Sequence, residues 1–374
     1  MPEFLHGCLV AGCGESSSLR TKIADWFGWL CYKYDKKPEG VAQLGCNAYF
    51  CPKIFSKVLY MLTRRQIRVK VMQSIYALTL SRDGSAETQE KFLKKSIGQT
   101  FTLYVVMLAL LREIHQMALS RSDKGRKKYL KEDASGHPGP QALAANQFLE
   151  YLSGHAGLAS AIDKRKLRQW YLNEEYVKIV YRQLTESPEY ASYAASSSTW
   201  EGDRAFALTI FREFIAPNDK IYDFLEDEGI TWVDDIPLVN TFIVKHLGKL
   251  HQGAPESYLL PALLKNSEDM EFAMDLLRKT LNKNAALEAE IEGKTPNWDK
   301  ERIAEIDGIL LKMGIAELLY FPSIPERVTI NEYLEIAKEY STPKSSIFIN
   351  GILDKLIREY REAGRLKKTG RGLM

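Results

Sequence analysis

The helical character of this chain is clearest in the segment LTRRQIRVKVMQSIY, which runs from Leu62 to Tyr76. In this segment and just beyond it, apolar residues recur every three to four positions, at Ile67, Val71, Ile75 and Leu78. This spacing places them on one side of an α-helix. Thr63 and Gln66, three residues apart, form the capping-box pattern that marks a helix start. The sequence therefore predicts a helix over residues 63–81.

The same helical period continues through the rest of the chain. It predicts further helices at 88–119, 141–153, 165–186, 200–216, 219–228, 236–251, 268–291, 299–320, 329–340 and 343–363. Thr329 with Glu332 is a second capping-box pattern, and Gly364 is placed to end the last helix. Basic residues and a Gly-His-Pro-Gly-Pro sequence predict a break over 121–140. Alternating strand patterns and internal repeats are absent, so the prediction is an all-α fold of packed helical bundles.

All five cysteines lie in the first 51 residues of the 374-residue chain: Cys8, Cys13, Cys31, Cys46 and Cys51. Three interpretations stay open for this segment. Two Cys-x4-Cys pairs have spacing at the wide edge of structural zinc sites. Residues 9–13 resemble a lipoprotein signal, but no basic residue precedes them. The third interpretation is a poorly structured extension, including upstream sequence translated ahead of Met61. The cysteine-free remainder has no thiol chemistry and fits a cytoplasmic protein.

Composition excludes several classes of protein. An apolar fraction of 45% is too high for a disordered chain. No run of 18 apolar residues predicts a membrane span. The net charge of +3 is a cancellation, because residues 61–82 and 355–374 are basic while 221–236 hold six acids without lysine or arginine. Basic segments in a nearly neutral chain indicate a local anion-binding surface.

The first helix combines features that favour phosphate binding. Arg64 and Arg65 follow the cap, at the positive end of the helix dipole, where uncompensated basic residues are unfavourable. A phosphate would compensate them. Helical geometry places Arg65, Arg68, Met72 and Tyr76 along one side, next to the buried stripe. The alternative is an ordinary solvated basic helix end.

The last helix has a predicted buried stripe of Ile349, Ile352, Leu353, Leu356 and Tyr360. Phe348 lies about 90–100° from the centre of this stripe, so partial exposure is expected, and a base could stack on its ring. An edge-of-core phenylalanine is the alternative. Gly351 inside the helix predicts close packing against a neighbour, in preference to a functional approach to the backbone.

Catalytic motifs are missing from the sequence. The six histidines form no helical pair with metal-ligand spacing, and there is no Walker A loop, GxGxxG or GxSxG motif. The prediction is a non-enzymatic protein without metal or cofactor. The acidic segment 221–236 lacks calcium-loop spacing and is interpreted as a solvated surface or a site for a basic partner.

Five blocks of sequence resemble the NusB family of bacterial transcription antitermination factors. They are LTRRQIRVKVMQSIY (62–76), DGILLKMGIAE (307–317), IPERVTINE (324–332), IAK (336–338) and FINGILDK (348–355). The C-terminal four, in this order, are the specific part. The intervening chain is much longer than in compact members and resembles the enlarged NusB proteins of the Bacteroidetes type.

The resemblance implies two packed helical bundles with a large helical insertion. It also implies binding of boxA-type RNA together with NusE, a small-subunit ribosomal protein, in the RNA polymerase antitermination complex. The positions that match the family's RNA contacts are Arg64, Arg65, Arg68, Gln73 and Phe348. Tyr76 falls near the side that meets NusE and RNA, and it is the residue expected to contact the partner. Gln66, Lys344 and Ile347 depart from the pattern of some members, which affects the contact map but not the fold.

The predicted domains are an extension (1–60), an N-terminal bundle with the insertion (61–267), a C-terminal bundle (268–364) and a basic tail (365–374). Two rival functions accompany RNA binding. One is a protein-only adaptor that binds NusE without RNA. The other is a fragment of an RNA-modifying enzyme, disfavoured because no cysteine follows Cys51.

Overall fold

The computed structural model describes residues 60–81, 85–127, 138–292, 294 and 304–370. The cysteine-rich extension and its three interpretations lie outside these residues. Within the described ranges all regular elements are helical, which confirms the all-α prediction. The one β-type pairing there is an isolated bridge between Tyr60 and Ala262.

Sixteen α-helices are described. They are α1 (Arg64–Leu80), α2 (Ala86–Lys127), α3 (Gln141–Ala144), α4 (Gln147–Gly154), α5 (Ala156–Lys164), α6 (Gln169–Leu172), α7 (Glu174–Thr185), α8 (Pro188–Ala194), α9 (Trp200–Thr209), α10 (Asp219–Glu228), α11 (Asp235–Leu247), α12 (Ser267–Asn282), α13 (Asn284–Ile291), α14 (Glu305–Tyr320), α15 (Glu326–Tyr340) and α16 (Ser345–Glu362). A π-helical turn (Ile210–Ile215) continues α9, and a 3₁₀ turn (Glu256–Tyr258) precedes α12.

Several predicted helices are divided in the structure. The predicted helix 165–186 begins later, because Lys166 has φ 53°, a left-handed conformation that an α-helix cannot contain, and it is divided at Asn173, which has φ −126° and ψ 55°. The predicted helix 268–291 is two helices separated by Lys283, whose φ is −109°. The predicted break at 121–140 begins too early, because α2 continues to Lys127.

The described residues form two compact units. We call residues 60–109, 155–167 and 253–370 the terminal unit, and residues 110–154 and 168–252 the middle unit. The terminal unit contains α1, the first part of α2, α5 and α12–α16. The middle unit contains the rest of α2, α3, α4 and α6–α11. The domain boundaries expected from the sequence stay predictions.

The terminal unit is built around α14. Residues 309–311 and 313–318 of this helix are all buried, and α1, α12, α13, α15 and α16 pack on it. A helix that is apolar all round is expected to be a core helix. Gly314 permits the close approach of α16, since a Cβ atom there would lie 3.3 Å from the Leu353 side chain.

The middle unit is held by packing between α4 and α9. Trp200 contacts the rings of Phe148 and Tyr151 with centroids 5.4 and 5.6 Å away. Asp203 is fully buried and accepts hydrogen bonds from Tyr193 Oη at 2.8 Å and the Gln147 backbone N–H at 2.9 Å. These bonds satisfy a carboxylate that would otherwise be costly to bury.

One helical stretch, Ala86–Asp123 of α2, is long and apolar enough to cross a membrane by length and composition. Its most apolar window has a mean hydropathy of 1.4, and 67% of that window is buried inside the protein. A buried core helix meets the same criteria, so this stretch is weak evidence for a membrane span.

Candidate nucleic-acid interface

The start of α1 follows the predicted capping box. The Thr63 backbone N–H donates to Gln66 Oε1 at 2.8 Å, and the Thr63 side chain caps the first turn in return. No acidic residue lies in the first turn of α1. Compensation for the basic residues there comes from other helices of the terminal unit, because each of the three predicted RNA-binding arginines of α1 pairs with a carboxylate on α12, α14 or α15.

Arg68 is the most enclosed of the three arginines. Its side chain is 2% exposed and binds the fully buried Glu317 of α14 through two hydrogen bonds, Nε–Oε2 at 2.8 Å and NH2–Oε1 at 2.7 Å. The same carboxylate accepts from Thr329 Oγ1 at 2.8 Å and Tyr333 Oη at 3.2 Å. Four donors around one buried carboxylate offset the desolvation of both charges.

The electrostatics of this buried pair favour the ionised arginine. Burial lowers the pKa of Arg68, but the charge and hydrogen bonds of Glu317 outweigh burial and raise that pKa above its ordinary value. Burial and the negative charge of Glu317 hold the pKa of Tyr333 well above 10. The geometry makes Arg68 a connection between α1, α14 and α15. Its predicted contact with RNA stays a prediction, and it requires this pair to open.

The second capping box of the sequence analysis is wrong. α15 begins at Glu326, so Thr329 lies inside the helix and is buried. Its hydroxyl donates to Glu317 on α14 instead of capping a helix end.

Arg64 and Arg65 are more accessible, with side chains 41% and 40% exposed. Arg64 Nε lies 3.1 Å from Asp269 Oδ1 of α12. Arg65 binds Glu332 of α15 with Nε–Oε2 at 3.1 Å and NH2–Oε1 at 3.0 Å. The hydrogen bond to Glu332 raises the pKa of Arg65. Both guanidinium groups lie close to solvent, and both already have an acceptor.

The remaining predicted residues of α1 lie further along the helix. Gln73 and Tyr76 are half-buried, whereas Met72 is buried. The predicted shared face of Arg65, Arg68, Met72 and Tyr76 is therefore not one exposed surface. Residues 67–72 are buried all round the helix, because other helices cover more than the single stripe that the apolar spacing indicated.

Phe348 lies on α16 and is half-buried, which agrees with the partial exposure expected from its position. The predicted stripe of α16 is confirmed, since Ile349, Ile352, Leu353, Leu356 and Tyr360 are all buried. The prediction that Gly351 packs closely against a neighbouring helix is wrong. It is exposed, and a Cβ atom there would have no neighbour within 4 Å.

The exposed side of α16 carries a net positive charge: the sequence analysis noted the basic segment 355–374 but not this shared face, where the exposed Glu362 offsets one of the cations. Lys344, Ile347, Gly351, Lys355 and Arg358 recur every three to four positions and are all exposed. We call these five residues the α16 outer face; Phe348 borders it. No ion pair joins its cations to a carboxylate in the described ranges. Ile347 is 75% exposed.

The entrance to α16 is fixed by a buried acid. Asp307 of α14 accepts from Ser341 Oγ at 2.6 Å and from Ser345 Oγ at 2.7 Å. Ser345 is the first residue of α16, so these bonds hold the helix start, and Phe348 with it, against the core. Asp307 and Glu317 were not singled out from the sequence. Their signal was available, because each is an acidic residue in an otherwise apolar helical run.

The described residues contain no group of three or more histidine, cysteine, aspartate or glutamate side chains that could hold a metal ion. The arrangement offers cations and one aromatic edge. It is suited to binding an anionic polymer.

Comparison with known proteins supports the family expected from the sequence. The NusB family model matches residues 243–358. The transcription antitermination protein NusB of Salinibacter ruber is 45% identical over 104 residues, which are 28% of this chain and 65% of that protein. The protein of the same name from Chloroherpeton thalassium is 41% identical over 104 residues, 28% of this chain and 49% of the relative.

A third relative, the transcription antitermination protein NusB of Geotalea uraniireducens, is 41% identical over 96 residues. Those residues are 26% of this chain and 66% of the relative, so the chain spans between about half and two thirds of the relatives it matches. None of the solved structures matches the chain. The enlarged chain is consistent with a NusB protein that has an insertion, and it carries a NusB-family domain at residues 243–358.

Proposed function

We propose that this protein is a cytoplasmic transcription antitermination and termination factor. It binds boxA-type RNA together with NusE and acts in the RNA polymerase antitermination complex, including during transcription of ribosomal RNA. The proposed role is non-catalytic. The observation that carries the proposal is a NusB-family domain whose last helix presents cations beside a half-buried aromatic ring.

The α16 outer face supplies two elements of single-stranded RNA recognition. Lys355 and Arg358 can bind phosphates without first breaking an ion pair to a described carboxylate. The half-buried ring of Phe348 can take a stacked base, and the exposed Ile347 adds apolar contact. Bases splayed onto side chains, with cations fixing the phosphates, are the usual mode of single-strand recognition.

The α1 residues have graded roles in the proposal. Arg64 and Arg65 are accessible, and each exchanges its carboxylate acceptor for an RNA phosphate. A guanidinium group favours phosphate because it can donate two parallel hydrogen bonds to it. Arg68 is a positioning residue, because its pair with Glu317 fixes α1 against α14. Gln73 is a further RNA contact and Tyr76 contacts NusE.

The test uses the full chain and fluorescently labelled boxA RNA, with a scrambled strand of the same composition as the matched control. We expect boxA RNA to bind more tightly than the scrambled strand, and addition of NusE to tighten boxA binding further. Affinity should fall as salt rises, because phosphate contacts release counterions. Equal binding of the two strands with NusE present would refute the specificity claim.

One observation favours the second candidate, a protein-only adaptor. All three arginines of α1 already have carboxylate partners, so this helix can serve the fold without RNA. In that case NusE binds the chain in a pull-down or by calorimetry, while boxA RNA does not bind either the chain or the complex.

A further inference from the structure

Gly351 lies inside α16, where glycine is less favourable than alanine. Packing does not require it, because a Cβ atom there would have no neighbour within 4 Å. Backbone conformation does not require it either, since its φ does not lie in the left-handed region. Of the two reasons that the sequence offered for this glycine, the approach of an external group to the helix backbone is the one that remains.

The side chains one turn away from Gly351 surround it with walls. Residues three and four positions apart are neighbours on a helix surface. On the N-terminal side these are Ile347, which is 75% exposed, and the half-buried Phe348. On the C-terminal side they are the half-buried Asp354 and the exposed Lys355. We call the depression over Gly351, between these four side chains, the Gly351 notch.

The two walls of the notch differ in chemistry. The N-terminal wall is apolar and includes an aromatic ring, whereas the C-terminal wall offers an ammonium group and a carboxylate. Lys355 has no ion pair in the described ranges. Asp354 accepts from Asn350 Nδ2 at 3.2 Å, and a carboxylate can accept several further hydrogen bonds. A nucleotide has the matching groups: a flat base, a phosphate, and hydroxyl or amino donors.

An exposed helical glycine alone does not make such a notch. Gly98 of α2 is also exposed, and a Cβ atom there would also have no neighbour within 4 Å. One turn before it, Lys94 and Lys95 are exposed. One turn after it, the Phe101 ring is covered by the guanidinium of Arg165, 4.7 Å from the ring centroid. Gly98 therefore has neighbouring cations without an exposed apolar wall, and it is a matched control.

We propose that the Gly351 notch holds one unstacked nucleotide of the bound RNA strand. The base lies on the helix backbone against Ile347 and Phe348, and its phosphate meets Lys355. Asp354 accepts a hydrogen bond from a 2′-hydroxyl or an exocyclic amino group, donors that proteins read in single-stranded RNA. This inference rests on the proposed RNA binding by the α16 outer face and assigns one nucleotide position within it.

A protein helix is the competing occupant of the notch. Close crossing of two helices uses small residues one turn apart. The residues one turn to either side of Gly351 on the outer face are Ile347 and Lys355, and both are large. A depression one residue wide therefore suits a flat base better than a second helix.

The experiment measures binding of the full chain to fluorescently labelled boxA RNA by anisotropy, with NusE present. Gly351→Leu fills the notch and should weaken binding by about tenfold or more, the order expected for one lost base stack. Gly351→Ala adds only a methyl group and should have a smaller effect in the same direction. Gly98→Leu and Gly98→Ala should bind as the unaltered chain does.

Stability is expected to change in the opposite direction. Because position 351 is exposed, alanine favours the helix there, and Gly351→Ala should raise the midpoint of thermal unfolding, as Gly98→Ala should. A loss of RNA affinity in a protein of equal or greater stability cannot arise from unfolding. A lower unfolding midpoint for Gly351→Ala would give this glycine a structural role and overturn the proposal.

RNA strands with a single abasic position identify the nucleotide. With the unaltered chain, one abasic position should weaken binding by about tenfold, and with Gly351→Leu the same position should matter little because its base is already displaced. If every abasic position weakens binding equally in both proteins, no base occupies the notch and the proposal is wrong.

Failure of the notch and failure of the proposed function give different results. Specific boxA binding that Gly351→Leu leaves unchanged removes the notch and leaves the proposed function intact. Equal binding of boxA and scrambled RNA by the unaltered chain removes the proposed function, and the notch with it. If Gly351→Leu weakens NusE binding without RNA and leaves RNA binding unchanged, the notch is a protein site, which also overturns the proposal.

Discussion

Helices α1 and α16 are both basic in sequence, but their charges are used differently. In α1 each of three arginines binds a carboxylate: Arg64 with Asp269, Arg65 with Glu332, and Arg68 with Glu317. On the outer face of α16, Lys344, Lys355 and Arg358 are exposed, and none has an ion pair to a carboxylate in the described ranges. The number of basic residues in a sequence segment therefore does not give the positive charge that is available to a binding partner.

The helix ends sharpen this difference. Both α1 and α16 lack an acidic residue in the first turn, so neither compensates its own dipole locally. In α1 the compensation comes from acids on packed neighbouring helices. At α16 the start is held by Ser345 and Asp307, and the exposed Lys344 at the cap adds positive charge. An acid of a neighbouring helix thus lies at both helix starts, and what distinguishes α16 is the exposed Lys344, which has no ion pair in the described ranges.

The largest expected effect is on stability, at the buried pair of α1. Glu317→Gln removes the main charge partner of Arg68 and leaves the longer contact to Glu332 at 3.5 Å, while nearly preserving side-chain shape. An unpaired buried charge typically costs about 3–5 kcal/mol, so we expect a loss of that size in the free energy of unfolding. Urea unfolding followed by circular dichroism measures it.

Two controls separate burial from pairing. Glu332→Gln removes the partner of the more exposed Arg65 and a longer contact to Arg68 NH1 at 3.5 Å, so a loss of about 1 kcal/mol, smaller than that of Glu317→Gln, is expected. The double change Arg68→Met with Glu317→Met removes both buried charges and should recover part of the loss. Equal losses for Glu317→Gln and Glu332→Gln would contradict the contrast between the enclosed and the accessible arginines.

The sequence predicted features that depend on neighbours along one helix. The Thr63–Gln66 cap, the buried stripe of α16 and the stop at Gly364 are confirmed. Gly364 has φ 64° and its N–H bonds to Arg361 O, while the Arg365 N–H bonds to Tyr360 O, which is the Schellman pattern.

Features that depend on contacts between helices could not be read from spacing. Thr329 has a capping pattern, yet its partner is Glu317, twelve positions earlier and on another helix. Arg68 is placed near a helix start like Arg64, but α14 and α15 enclose it. Glycine has a low helix propensity, which suggested a packing reason for Gly351. The arrangement of the neighbouring helices shows instead that Gly351 lies on the solvent-facing side of α16.

The second effect is expected at the aromatic edge of the α16 outer face. Phe348→Ala should weaken boxA binding by about 1–3 kcal/mol, which is the usual value of one stacked base. Phe348→Tyr retains the ring and should retain most of the affinity. Fluorescence anisotropy measures binding, and an unfolding curve for each variant shows whether the loss arises from stability. Unchanged affinity of a folded Phe348→Ala variant would remove this ring from the proposed site.

A smaller effect distinguishes the cations of the two helices. Lys355→Gln should lower the slope of log affinity against log salt by about 0.7, the value for one phosphate of a single strand. Arg64→Gln also removes one positive charge. In the unaltered chain, however, Arg64 is paired with Asp269, so an RNA phosphate must displace that carboxylate to bind Arg64. We expect a smaller change in slope for Arg64→Gln. A larger change at Arg64 would reverse the ranking of α1 and α16.

The smallest effect concerns pH and the end of α16. Glu290 of α13 accepts from Arg365 NH2 at 2.6 Å and from Tyr360 Oη at 3.0 Å. The Arg365 hydrogen bond is the main reason that the pKa of Glu290 lies below its ordinary value. A carboxyl whose pKa is lower in the folded state stabilises the fold above its unfolded pKa, about 4.3, and loses that contribution as pH falls through the folded value.

The comparison with Glu290→Gln isolates this contribution. The unaltered chain should be slightly more stable than Glu290→Gln at neutral pH, and the difference should shrink as the pH falls below about 4. Urea unfolding of both proteins across this pH range gives the difference directly. If the difference in unfolding free energy between the two proteins widened on acidification, Arg365 would not favour the ionised form of Glu290. A gap that closes would identify Arg365 as a cation already committed to the fold, like the arginines of α1 and unlike Lys355.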